Sequence, residues 1–202
     1  MIQKKKNIQD NTLNLLFKSK NMYGESLIST NKEILPFIYG SRHNHTIINL
    51  KNVSFFLKRI FKLIKYIVQK NEKILIIGNA DEIKFLFTSA FKKKNSNVIF
   101  FNKEWINGLL TNQIMNTTFN KVINYLIKEQ QIKLILIIKS SVKDTFLNQE
   151  ISTLKIPIIS LINTNQTIKN INYPIITNSK IFNQYIQIQS IYTIMYLLRK
   201  IF

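Results

Sequence analysis

The chain has 202 residues, 46% of them hydrophobic, enough to bury one sizeable core and too many for a disordered chain. Its charge is one-sided, 29 Lys+Arg against 10 Asp+Glu for a formal net charge of +19, so a folded domain repels itself unless an anionic partner screens it. Nucleic acid is the first such partner and an anionic membrane surface the second.

No cysteine is present, which excludes disulfides, thiolate-held iron–sulfur clusters and thiol catalysis. No apolar run reaches the roughly 18 residues of a membrane span. Lys, Asn, Ile, Phe and Tyr are frequent while Gly and Pro stand at 4 and 3, as translation of an A+T-rich genome produces. That bias raises Asn along with Lys and does not account for the scarcity of acids. Lys4, Lys5 and Lys6 occur near the start without Arg or a cleavage-like site, resembling neither a secretory signal nor an Arg-rich transit peptide. For a protein that works in an organelle, this points to synthesis there.

In chain order, residues 1–35 read as a polar, partly helical arm whose apolar cluster is Leu13, Leu15, Leu16 and Phe17. Residues 36–202 read as a single α/β domain. Pro36–Tyr39 and Thr46–Leu50 are expected to be extended around a polar loop, Ser41–His45. Asn52–Asn71 is expected to be helical, because Val53, Phe56, Leu57, Ile60, Leu63, Ile64, Ile67 and Val68 follow the spacing of one buried face. Lys58, Lys62, Lys65 and Gln69 repeat that spacing on the other face.

Ile74–Ile77 is an apolar run ended by Gly78, suited to a strand buried on both sides. A helix is predicted over Ala80–Lys94, a strand at Val98–Phe101 and a helix over Ile114–Gln130. Strands at Leu134–Ile138 and Pro157–Ile162 flank a helix near Val142–Thr153. A short extended segment, Tyr173–Ile176, precedes a closing helix, Phe182–Lys200. Strands alternating with helices of about ten residues predict crossover connections and a mainly parallel sheet covered on both faces.

Little of this sequence suits catalysis. Gly78-Asn79-Ala80-Asp81 offers one glycine where a dinucleotide fingerprint needs three. His43 and His45, the only histidines, share one loop without the four ligands zinc takes. Asp81-Glu82, the one adjacent acidic pair, cannot converge on a substrate atom from a helix. Ser140-Ser141 lacks the glycines of a nucleophile elbow. No cofactor, metal or small-molecule substrate is expected.

The basic residues point elsewhere. Arg42, His43 and Lys51 flank the polar loop; Lys58, Lys62 and Lys65 form a stripe; Lys92, Lys93 and Lys94 form a run; Lys103 lies near Trp105. Cations grouped on one small domain, with amides and an aromatic nearby, suit RNA phosphates and nucleotide stacking.

Three segments carry a resemblance. They are Pro36-Phe-Ile-Tyr-Gly-Ser-Arg42 with Ile47-Ile-Asn-Leu50; Trp105-Ile-Asn-Gly-Leu-Leu-Thr-Asn112; and Ile156-Pro157-Ile158 with Asn163-Thr164-Asn165 and Tyr173-Pro-Ile-Ile-Thr-Asn178. In order and spacing they resemble ribosomal protein S2 of the small subunit. The middle segment matches that family's Trp-x-x-Gly-x-Leu-Thr-Asn signature.

The resemblance implies a three-layer αβα domain, Rossmann- or flavodoxin-like, contacting small-subunit ribosomal RNA and neighbouring ribosomal proteins without catalysis. It sets Arg42 and Lys51 near RNA. Trp105, Gly108, Thr111 and Asn112 become a signature turn, and Asn165 and Asn178 shape turns at the sheet edge. Trp105, Thr111 and Asn112 fit either a structural role, through ring burial and helix capping, or direct RNA contact.

This chain also departs from the family. It has Met22-Tyr23-Gly24-Glu25 for His-Phe-Gly-His, Asn79-Ala80 for Thr-Lys, and Asn49 and Asn163 for Asp. Only a short stretch between Asn112 and Lys133 stands where bacterial members carry a long helical hairpin. The organelle expected is the mitochondrion, with the plastid as alternative. The rival readings are a soluble nucleotide-binding enzyme and a basic membrane-surface protein.

Overall fold

A computed structural model describes residues 11–78, 98–101, 125, 129, 132–138 and 145–177. They fall into two compact units. The first holds the described residues of Met1–Leu63, Leu161–Ile168 and Pro174–Phe202. The second holds those of Ile64–Ser160 and Lys169–Tyr173.

In the first unit residues 11–18 are helical (α1). Leu16 is fully buried while Phe17 is 61% exposed, so the apolar cluster of this segment splits between core and solvent. The helix ends in a left-handed residue, Lys20 at φ 56, with Asn21 N donating to Leu16 O and Lys20 N to Phe17 O. That is a Schellman ending built without glycine.

Strand β1 (Tyr23–Ser26) follows, in a stretch where the sequence suggested only helix and polar coil. A 3₁₀ turn covers Lys32–Phe37, begun by Asn31 accepting from Glu33 N. Pro36 therefore sits in a helical turn rather than the expected extended piece; its fixed φ is compatible with either. Strands β2 (Ile38–Arg42) and β3 (His45–Ile48) pair antiparallel, and the sheet order is β1-β3-β2. The expected polar loop Ser41–His45 contracts to a two-residue turn, His43 at φ 47 and Asn44 at φ 63. Two positive φ values are what a type I′ hairpin requires.

Helix α2 spans Leu50–Gln69, two residues earlier at each end than its periodicity suggested. Asn49 Oδ1 accepts from Lys51 N at 3.1 Å and Asn52 N at 3.4 Å, which satisfies orphan amides at the helix start. Asn71, at φ 56, closes the other end, with Glu72 N on Ile67 O and Asn71 N on Val68 O. Val53, Leu57, Ile60, Ile64 and Ile67 are buried, as the spacing required.

The second sheet has the order β5-β4-β6-β7-β8, from β4 (Lys73–Ile77), β5 (Val98–Phe101), β6 (Ile132–Ile137), β7 (Ile158–Ile162) and β8 (Tyr173–Ile176). β4 runs parallel to β5 and β6, and β6 to β7. Leu75, Ile77, Phe101, Ile135, Ile137 and Ile158 pack in one cluster with Leu147 and Ile151 of helix α3 (Thr145–Ser152). Ile74, Ile76, Leu134 and Leu136 alternate onto the opposite face and are no more than 2% exposed. A sheet buried on both faces must be covered on both, so the architecture is the expected αβα arrangement with a mainly parallel sheet. The helices predicted over 80–94 and 182–200 and the signature at 105–112 lie outside the described residues, as do the helix predicted over 114–130 and the shortened hairpin apart from Tyr125, Glu129 and Ile132.

Candidate nucleic-acid interface

The outward face of α2 is strongly basic. The helix carries Lys51, Lys58, Arg59, Lys62 and Lys65 and no Asp or Glu. Lys51, Arg59, Lys62 and Lys65 are exposed and Lys58 is half-buried. The helical period puts these residues opposite Leu57, Ile60 and Ile64, so burial of the apolar stripe turns the cations to solvent. Lys51 sits in the first turn, where the helix dipole already favours an anion.

Two aromatics share this face, Phe55 at 52% and Tyr66 at 54% exposure. The Arg59 guanidinium lies 4.4 Å from the Phe55 ring centroid. Lys70 Nζ lies 4.4 Å from that of Tyr66. A hydrogen bond to Tyr66 and the charge beside it raise the Lys70 pKa above the ordinary lysine value, against a smaller opposing desolvation.

Reasoning from sequence singled out the lysines and passed over Phe55, Arg59 and Tyr66. The missed signal was available: Phe55, Arg59, Lys62 and Tyr66 recur at intervals of four, three and four residues, one helical face.

A second polar patch sits at the β2–β3 turn, where Arg42 and His43 are exposed. The structure thus gathers Lys51, Lys58, Lys62 and Lys65 on one helix and Arg42 with His43 on one hairpin. Lys92, Lys93, Lys94, Lys103, Trp105, Gly108, Thr111, Asn112 and Asn178 lie outside the described residues.

Asn165 is exposed, at the tip of a turn whose middle residue, Thr164, is fully buried. Thr164 Oγ1 accepts from Glu25 N at 2.7 Å, and Thr164 O accepts from Asn31 N at 2.9 Å. Beyond the turn, Glu33 Oε2 accepts from Thr167 Oγ1 and Ile168 N. This turn fastens β1 and its following loop and has a structural task.

Nothing described here assembles an active site. No group of three or more His, Asp or Glu side chains could hold a metal among the described residues. Gly78 has an ordinary φ, and a Cβ there would make van der Waals contact with Ile138 at 3.4 Å; no close approach of a phosphate is needed to explain it. An open cleft of about 420 Å³ before β7, lined by Ser152, Lys155, Pro157, Asn170 and Asn172 among others, contains no carboxylate or imidazole. No helix among the described residues is long and apolar enough to cross a membrane.

The fold and this surface define a basic α/β protein with a cationic, aromatic-bearing helix face. Comparison with known proteins makes the assignment specific: the chain belongs to the family described as ribosomal protein S2, whose model matches residues 16–134. Small ribosomal subunit protein uS2m of Schizosaccharomyces pombe is 35% identical over 101 residues, 50% of this chain and 38% of that protein. Small ribosomal subunit protein uS2c of Galdieria sulphuraria is 28% identical over 103 residues, 51% of this chain and 43% of that protein. Small ribosomal subunit protein uS2 of Ehrlichia chaffeensis is 24% identical over 202 residues, 84% of this chain and 69% of that protein. The matches to the first two span less than half of those relatives' length.

Proposed function

We propose that this protein is a structural, non-catalytic component of the small subunit of a mitochondrial ribosome, holding small-subunit ribosomal RNA and neighbouring ribosomal proteins. The observation that carries the RNA reading is the α2 face, five cations on one helix without an acid, in a chain of net charge +19. Phosphates are the ligands such a surface suits, and the Arg42–His43 turn offers a second foothold. Family membership supports the ribosomal setting. The 35% identity to a protein named uS2m supports the mitochondrial one.

The interface is tested by replacing Lys58, Lys62 and Lys65 together with Gln and titrating ribosomal RNA at several salt concentrations. Loss of three phosphate contacts should reduce the slope of log affinity against log salt by roughly 2–3. An unchanged slope would make the stripe a solvated face only. Sedimentation of ribosomes from fractionated source cells tests the compartment: the protein should travel with the mitochondrial small subunit.

A further inference from the structure

Phosphate attraction explains the lysines of α2 but not its rings. We propose that Phe55, backed by the Arg59 guanidinium, is a stacking platform for an unpaired RNA base, so that α2 takes RNA at a bulge or loop rather than along a continuous duplex. This rests on the RNA-binding reading above.

The phase of α2 sends Phe56, not Phe55, toward the core: Phe56 is half-buried and its ring packs 5.4 Å from that of Phe37. Phe55 is half exposed and has two neighbours that position it. It meets Phe56 edge-on at 6.3 Å and 88°, and Arg59 lies 4.4 Å from its centroid. A single exposed ring is unremarked on most proteins. Here the arrangement recurs eleven residues on, where Tyr66 has Lys70 4.4 Å from its centroid. Eleven residues are close to three helical turns, which keeps both rings on one face about 16 Å apart. That is several times the roughly 3.4 Å rise of stacked bases, so each ring would take a separate base.

In a duplex the base faces are shut inside the stack and only phosphates and groove edges reach the protein. An unpaired base has a free π-face for a ring or a guanidinium. A lipid surface suits this helix less well, because its apolar half is already occupied: Leu57, Ile60 and Ile64 are no more than 1% exposed. An acidic protein segment would satisfy the cations but its carboxylates would offer nothing to stack on the exposed rings.

The test uses the full chain and fluorescence anisotropy with two RNAs of equal phosphate number, a hairpin carrying a bulge and a loop, and a continuous duplex. Phe55→Leu keeps an apolar side chain against Phe56 and removes the ring. It should weaken binding of the looped RNA about tenfold and leave duplex binding within about twofold. Phe55→Trp should retain or tighten looped-RNA binding, and thermal melting of both variants guards against misfolding. Equal loss on both RNAs, no loss with Phe55→Leu, or the same ring dependence toward polyglutamate would overturn the stacking role. Salt-dependent RNA binding by the parent chain would then still uphold the RNA reading. Failure of the parent chain to bind either RNA overturns both.

Discussion

At the scale of single residues, the sharpest constraint is Gly24. A Cβ there would collide with Thr46 Oγ1 and lie 2.7 Å from Thr164 Cγ2. Neither neighbour is free to move: Thr46 Oγ1 donates to Glu25 O at 2.9 Å, and Thr164 Oγ1 accepts from Glu25 N. Gly24→Ala should therefore destabilise the protein by about 1–3 kcal/mol, the usual cost of overpacking. Gly78→Ala, which meets only Ile138 at ordinary contact distance, should cost less than about 1 kcal/mol. Denaturant titration of the two variants checks the contrast, and equal losses would show that crowding by Thr46 and Thr164 is not what constrains Gly24. Scarcity of glycine has another visible consequence. Left-handed positions are filled by Lys20, Asn71 and Lys155 instead, each at a local cost that glycine would avoid.

At the scale of elements, α2 ties the fold to the candidate interface. Its start depends on Asn49, whose side chain accepts from two amides of the first turn. Asn49→Ala should cost about 1 kcal/mol. Asn49→Asp should be neutral or slightly stabilising, since a carboxylate caps as well and complements the positive helix end. Thermal melting measures both. A loss on going to Asp would mean that the charge, not the cap, decides this position. The backbone of Asn163 joins a turn in which its N–H donates to Gln166 Oε1 and its carbonyl accepts from Gln166 N.

At the scale of the molecule, charge and exposed apolar surface act together. Net charge is +19, and Phe17, Ile28 and Tyr39 are 61%, 89% and 79% exposed. Without RNA or salt the positive charges repel through weakly screened solvent, which lowers the stability of the compact state and uncovers further apolar surface. The isolated protein should melt lower and aggregate more readily at low ionic strength. Ribosomal RNA or added salt should raise the melting temperature. Calorimetry with light scattering across a salt series checks this. A melting temperature that falls as salt rises would contradict self-repulsion as the dominant electrostatic effect.

The sequence by itself determined the αβα class, the position of the parallel strands and the two faces of α2. Runs such as Ile74–Ile77 and the period of Leu57, Ile60 and Ile64 are local records of burial. It also determined the family, through residues whose order and spacing survive in one dimension. Tertiary structure alone decided the rest. β1 lies in a polar stretch because partners far along the chain complete its backbone groups, Thr46 donating to the Glu25 carbonyl and Thr164 accepting from the Glu25 amide, which no local pattern announces. The Ser41–His45 loop tightens into a hairpin because β3 pairs on both sides and sets the register. The period of α2 already turns Phe55 outward and Phe56 inward, but the partner that Phe56 meets, Phe37 at 5.4 Å, is a contact between elements that only the tertiary structure supplies.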